Sequence, residues 1–276
     1  MVMDFNTPAC WYEGVYRDKA RVVSAARPFM ICNNNSSAVL LIHGYAGYPG
    51  ELVRPAIDIA KFGFDVYCPR LPGMGSSGKD FLSSTREDWI KTIDNVLSYL
   101  DKKYKSISIV SHSMGTLLAL IATKKHSIDK IVLAAPAFSM PQLKSYQMRL
   151  ISIFKKDIKI DWKPDNRYKL YYENAPCDDL ELGKEYWSHL YPKRLLDLLE
   201  LKKEALKLDS FSSKVLIIKC GRDVVTSPNG CDDYIHSHNV NASIEYIENA
   251  THFVYYDIDK EAEERAVKAT VEFLAR

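Results

Sequence analysis

Ser111-His112-Ser113-Met114-Gly115 is the stretch that decides how this chain is read. It follows Ser106-Ile107-Ser108-Ile109-Val110, an apolar, β-branched run that predicts a short buried strand. It precedes Thr116-Leu117-Leu118-Ala119-Leu120-Ile121-Ala122, which predicts a helix. A serine on a tight strand-to-helix turn has its hydroxyl pushed out of the sheet. The neighbouring N–H groups then lie at a helix N-terminus, where negative charge is stabilised. The plainer reading is a helix N-cap, a common place for serine. Ser113 alone does not separate the two.

The surroundings do. Upstream, Ala38-Val39-Leu40-Leu41-Ile42 is a continuous apolar run, as expected of a parallel strand buried on both faces. It ends in the glycine-rich loop His43-Gly44-Tyr45-Ala46-Gly47, and a helix is expected over residues 51–62. Phe64-Asp65-Val66-Tyr67-Cys68 predicts the next strand, ending in a second glycine-rich loop, residues 69–78. Ser84 and Glu87, three apart, resemble a capping box for a helix carrying Trp89, Ile93, Val96, Leu97, Leu100 and Tyr104. Residues 10–32 predict an N-terminal hairpin, followed by a turn at Asn33-Asn34-Asn35-Ser36-Ser37. Downstream, residues 130–135, 214–219 and 243–247 predict strands, and residues 259–275 a last helix. Strands alternating with helices imply an α/β fold with a mostly parallel, doubly wound sheet. Residues 137–211 break the alternation. They are rich in Tyr, Leu and Lys and have no clear buried strand, so a mainly helical cap inserted over the sheet is expected. The core would then be residues 1–136 and 212–276.

Composition narrows the function classes. The 276 residues are 47% hydrophobic and 26% charged, enough for a large core. A formal net charge of +2 argues against a nucleic-acid binder. No apolar run approaches a membrane span, and the first residues lack the pattern of a secretory signal. Cys10, Cys32, Cys68, Cys177, Cys220 and Cys231 are scattered, without metal-type spacing, which favours reduced thiols. A cytoplasmic enzyme is the resulting expectation.

In a parallel sheet, ligands bind beyond the carboxyl ends of the strands. Ser113, Asp223 in Gly221-Arg222-Asp223, His252 in Thr251-His252, and Gly44-Tyr45 all follow predicted strands. A serine hydroxyl is a poor nucleophile until a base takes its proton. Histidine suits that task, and a carboxylate fixes the imidazole tautomer. The resulting oxyanion needs preorganised donors, and the Met114 and Tyr45 N–H groups fit. Asp223 also has a plain reading as a turn cap. Asp232, Asp233 and Asp257 compete for the acid's place, Asp257 reading as the start of the last helix. His43 and His112 flank the site as hydrogen-bonding supports and as candidate substrate contacts. His236 and His238 read as solvated surface rather than as metal ligands. Tyr172 and Trp187, with other cap aromatics, are candidates to line an apolar substrate pocket. Residues 144–169 carry eight basic and three acidic side chains. They read first as a solvated face, and second as a surface for transient contact with anionic lipid.

Together these motifs resemble the α/β-hydrolase superfamily, and within it compact bacterial carboxylesterases and monoacylglycerol lipases. The resemblance rests on His43-Gly44-Tyr45, Gly73-Met74-Gly75-Ser76, Ser111-His112-Ser113-Met114-Gly115, Gly221-Arg222-Asp223 and Thr251-His252, in that order. It implies a Ser113–His252–Asp223 triad and an acyl-enzyme. The substrate would be a small ester, with no metal or organic cofactor. Other acyl transfer, thioester, peptide or carbon–carbon bond cleavage on the same triad is the alternative, and non-catalytic ligand binding a more distant one. One departure stands out: Ser111 occupies the place of the usual first glycine of Gly-x-Ser-x-Gly.

Overall fold

A computed structural model describes residues 2–4, 22–168, 175–208, 212–238 and 240–276. Its centre is an eight-stranded sheet. The strands are β1 (Val2–Asp4), β2 (Phe29–Cys32), β3 (Ser37–Ile42), β4 (Asp65–Cys68), β5 (Ser106–His112), β6 (Lys130–Ala134), β9 (Lys214–Cys220) and β10 (Ala242–Ile247). Their spatial order is β1-β2-β4-β3-β5-β6-β9-β10. The β1/β2 and β2/β4 pairs are antiparallel and the other pairs are parallel. The short β7 (Ile158–Lys159) and β8 (His189–Leu190) form a separate antiparallel ribbon.

Both sheet faces are covered, which explains the unbroken apolar runs in the middle strands. One face carries α3 (Arg86–Leu100), α4 (Met114–Ala122) and α7 (Pro192–Ala205), packed in a core that includes Leu40, Ile42, Ile109, Leu117 and Leu201. The other carries α1 (Val53–Lys61) and α9 (Lys260–Ala275), packed on Val39, Leu41, Val110 and Val132. The remaining helices are α2 (Gly78–Ser83), α5 (Ser145–Phe154), α6 (Ala175–Leu182) and α8 (Asn229–His238). Among the described residues no helix is long and apolar enough to cross a membrane.

Several local expectations change. The strand at residues 29–32 pairs with Val2–Asp4 rather than with a partner inside residues 10–32, and residues 5–21 lie outside those described. The capping box before α3 is formed by Thr85 and Asp88, not by Ser84 and Glu87. Thr85 Oγ1 accepts from the Asp88 N–H, and Asp88 Oδ2 accepts from the Thr85 N–H. The Ser84 hydroxyl instead closes α2 on the Phe81 carbonyl, and Glu87 pairs with Arg86. Among its described residues, the segment between β6 and β9 carries the helices α5, α6 and α7, irregular stretches, and the β7/β8 ribbon, whose two-residue strands are too short to give a period-two signal.

Candidate active site

The carboxyl ends of β5, β9 and β10 bring together the three residues singled out by sequence. β5 runs directly into Ser113 and α4. Ser113 adopts φ 52° and ψ −119°, a left-handed backbone that turns its hydroxyl away from the helix it precedes. Its side chain makes no capping bond, so the N-cap reading fails. The turn is tight enough that a Cβ at position 115 would collide with the carbonyl oxygen of Ile42. Position 111 tolerates serine because its hydroxyl, fully buried, donates to the Val132 carbonyl on β6 at 2.7 Å.

His252 Nε2 lies 2.9 Å from Ser113 Oγ, and His252 Nδ1 lies 2.7 Å from Asp223 Oδ2. A carboxylate only accepts, so Nδ1 carries the proton and Nε2 is left to accept from the serine hydroxyl. Asp223 is also the turn cap of its plainer reading. Its Oδ1 accepts the Val225 and Thr226 N–H groups at 2.7 and 2.8 Å, while the Thr226 hydroxyl donates to Oδ2. Burial raises the Asp223 carboxyl, but the bond and charge of His252 and the Thr226 bonds outweigh it and hold the group below its ordinary value. Thr226 was legible only in hindsight, as a hydroxyl three residues after an aspartate.

Asp257 is not at the start of α9. That cap is Asp259, whose Oδ1 accepts the Glu261 and Ala262 N–H groups. Asp257 is fully buried and braces the histidine loop: Oδ2 accepts the Thr251 N–H at 2.7 Å and hydroxyl at 3.0 Å, and Oδ1 the Asp259 N–H.

Of the two flanking histidines, His112 lines the cavity above Ser113 and the fully buried His43 does not, and they have distinct partners. His43 Nε2 accepts the Leu71 N–H at 3.0 Å, so its Nδ1 donates to the Gly44 carbonyl. This ties the second glycine-rich loop to the first. His112 Nε2 lies 2.7 Å from the His252 carbonyl oxygen, which requires a proton on that nitrogen. Burial pushes both imidazoles down to about 3. Gly44 permits a close approach, since a Cβ there would be 3.1 Å from Ser113 Cβ. Tyr45 follows it, and Met114 opens α4, where a helix's first N–H groups have no intrahelical partner.

Of these residues, Gly44, Tyr45, His112, Ser113 and His252 line a cavity of about 1060 Å³, with Ser113 and His252 at its floor. Its walls include Tyr45, Trp162, Trp187, Leu195, Leu198 and Phe253. Trp187 lines it; its Nε1–H donates to the Ala46 carbonyl at 2.8 Å and its ring stacks on Tyr48. Tyr172 lies outside the described residues. Sequence reading missed Glu51, which is buried in the cavity wall beside Tyr48, His112 and Tyr256. Nothing in its local pattern marks it, since it lies in the 3₁₀ turn Pro49–Leu52 ahead of α1.

Known proteins of this kind were found by sequence and by structure. The chain is 26% identical over 264 residues to a thermostable monoacylglycerol lipase of Bacillus sp. (strain H-257), covering 92% of this chain and 96% of that protein. A carboxylesterase of Bacillus subtilis (strain 168) shares 26% identity over 99 residues, 36% of this chain and 40% of that protein. Among solved structures, the monoacylglycerol lipase of Paleococcus ferrophilus superposes with a TM-score of 0.67 at 20% identity, over 86% of this chain and 93% of that one. A structure from work on LipS and LipT, metagenome-derived lipolytic enzymes, superposes with a TM-score of 0.73 at 21% identity, over 91% and 99% of the two chains. The profile of the Hydrolase_4 family, described as serine aminopeptidase, S33, matches residues 33–259. With that match spanning most of the sheet and its loops, the chain belongs to the Hydrolase_4 family of α/β-hydrolase enzymes.

Proposed function

We propose that this protein is a serine esterase that cleaves small carboxylic esters of the monoacylglycerol type through an acyl-enzyme. The observation that carries the reading is the relay from Ser113 Oγ to His252 Nε2 at 2.9 Å and from His252 Nδ1 to Asp223 at 2.7 Å, on the floor of an apolar-walled cavity. The monoacylglycerol lipase relative, matched over nearly its whole length, supports the ester class.

In this reading Ser113 Oγ attacks the ester carbonyl as His252 Nε2 takes its proton. The oxyanion sits between the Met114 and Tyr45 N–H groups. His252 then protonates the leaving alkoxide, and Asp223 steadies the imidazolium. Water, activated by the same nitrogen, releases the acid. Residues 137–211 act as a cap that walls the acyl group. The cysteines Cys32, Cys68, Cys177, Cys220 and Cys231 are free, which fits work in the reducing cytoplasm.

The test is a fluorophosphonate probe with a panel of p-nitrophenyl esters, monoacylglycerols and amino-acid p-nitroanilides. Labelling at Ser113 and turnover of the esters are expected. Labelling with turnover of the anilides alone would replace the esterase reading by a peptidase one, and no labelling would end both.

A further inference from the structure

The helix α5 is unusual among the elements of this protein because none of its residues is buried. Tyr146, Leu150, Ile153 and Phe154 are 67%, 61%, 73% and 79% exposed. Their spacing of four, three and one places them on a single face, about 100° wide at 100° per residue. Met148, Ile151 and Ser152, which are partly covered, fall on the opposite face. The side of α5 turned to the protein is therefore the weakly apolar one, and the strongly apolar side meets solvent. Such a contiguous outward row calls for a covering surface.

Charge indicates what kind of surface. Lys144, Arg149, Lys155, Lys156 and Lys159 lie in this helix or close to its ends in sequence and are all exposed. Residues 144–159 hold five basic side chains and one acidic, Asp157, against 37 and 35 in the whole chain. The rest of the protein is thus slightly acidic, and the excess positive charge is gathered in the segment that carries the apolar row. Of these cations only Arg149 has an ion-pair partner among the described residues, Glu200 at 3.3 Å. A second copy of this face would bring like charges together, which disfavours self-association.

We propose that the outer face of α5 docks on an anionic lipid bilayer, the four apolar side chains entering the headgroup boundary and the surrounding lysines meeting lipid phosphates. An amphipathic helix with large apolar side chains on one face and Lys or Arg beside them lies in the interface plane in this way. The location gives the contact a use. Gln142 and Leu143, just before α5, and Trp162, Lys163 and Pro164, just after β7, line the cavity that holds Ser113. Docking on α5 sets the cavity beside the lipid surface. The proposal does not depend on the esterase reading, because it concerns binding and not turnover.

The experiment is co-sedimentation with vesicles of phosphatidylcholine alone or mixed with phosphatidylglycerol, at low and high salt. Wild-type protein is expected to sediment with the mixed vesicles and to release with salt. The triple variant Leu150→Glu, Ile153→Glu, Phe154→Glu should lose at least about tenfold in affinity. Lys155→Glu with Lys156→Glu should lose a similar factor on mixed vesicles. Circular dichroism and thermal melting, which need no activity, check that each variant is folded. Wild-type protein that ignores both vesicles, or a folded triple variant that binds unchanged, overturns the proposal. So does a dimer abolished by the triple variant without vesicle binding, because the face would then join copies of the chain.

Discussion

Glu51 Oε2 and His112 Nδ1 face each other across 3.9 Å, both buried and both without a hydrogen-bond partner among the described residues. The His112 proton is committed to Nε2, where it meets the His252 carbonyl, so Nδ1 is a bare acceptor. Burial is the main force on Glu51 and pushes its carboxyl up to about 8, with the Asp179 charge adding to it and bonds from Tyr256 and the Gly44 and Tyr48 backbone opposing it. A carboxyl neutral at pH 7 offers a proton towards Nδ1, directly after a small movement or through one water.

Burial of the Glu51 carboxyl makes stability depend on pH in a defined direction. Glu51 has its folded value raised above the unfolded one. Its contribution is therefore fully present below the unfolded value and is lost as pH rises through about 8. Between pH 7 and 9 the loss is about 1–2 kcal/mol, a melting shift of a few degrees. Glu51→Gln, which cannot ionise, should flatten that decline, as read by melting curves at both pH values. An equal decline in the variant would show that Glu51 is not the group that titrates.

On the acid side the two buried histidines act oppositely. His43 and His112 stay neutral when folded down to about 3, so their contribution is present above the unfolded histidine range and is lost as pH falls through it. Between pH 6 and 5, unfolding takes up nearly two protons at these sites, while wild-type Glu51 releases nearly one. Glu51→Gln should therefore steepen the acid decline by about 1 kcal/mol per pH unit. Denaturant unfolding at the two pH values measures it, and an unchanged slope would show that Glu51 is not held protonated in the folded protein.

Ser113→Ala should abolish fluorophosphonate labelling and lower ester turnover by about 10⁴-fold or more, because members of a triad act as a unit. The fold should persist, since the hydroxyl is not a structural cap. The backbone at φ 52° adds a second expectation. Glycine usually costs about 0.5–1 kcal/mol relative to alanine. Here Ser113→Gly should be at least as stable as Ser113→Ala, because it relieves the strained turn. Comparing their melting temperatures checks this.

Asp223 and Asp257 separate by what their replacement harms. Asp223→Asn keeps the turn cap at Oδ1 but puts an amide where His252 needs an acceptor, and turnover should fall by about 10³–10⁴-fold. Asp257→Asn places donors against the Thr251 N–H and hydroxyl in a fully buried position. Its main effect should be a stability loss of about 1–3 kcal/mol, with turnover reduced by about tenfold at most in the folded protein. Parallel kinetics and melting curves decide it. A larger turnover loss in the second variant would reassign the acid.

What was legible in the sequence follows from what each feature depends on. The parallel strands, the elbow at Ser113 and the residues Asp223 and His252 are set by local apolar runs and by their place after a strand. The capping box slipped by one residue because Ser84-Thr85 offers two hydroxyls and Glu87-Asp88 two carboxylates. Only the chain's path into α3 selects between them. Asp257 was misread because five residues after His252 looked like a helix start, whereas the loop folds back and buries it. Glu51 was invisible for a deeper reason. Its role depends on four elements meeting around a carboxyl that nothing nearby in sequence announces.

Trp187 offers the sharpest division between positioning and pocket shape. Its indole N–H holds the Ala46 carbonyl, one residue from the Tyr45 N–H proposed to bind the oxyanion, while its ring walls the cavity and stacks on Tyr48. Trp187→Phe removes the hydrogen bond and keeps an aromatic ring. It should lower kcat on every ester by a similar factor, because the loop that carries Tyr45 loses an anchor. Trp187→Ala also opens the wall. Since each methylene in an apolar pocket is worth about 1–3 kcal/mol, its losses should vary with acyl length and shift the preferred chain. Kinetics of both variants across graded p-nitrophenyl esters separate the two effects. If alanine produced the same uniform loss as phenylalanine, Trp187 would be an anchor of the oxyanion loop and not a determinant of chain length.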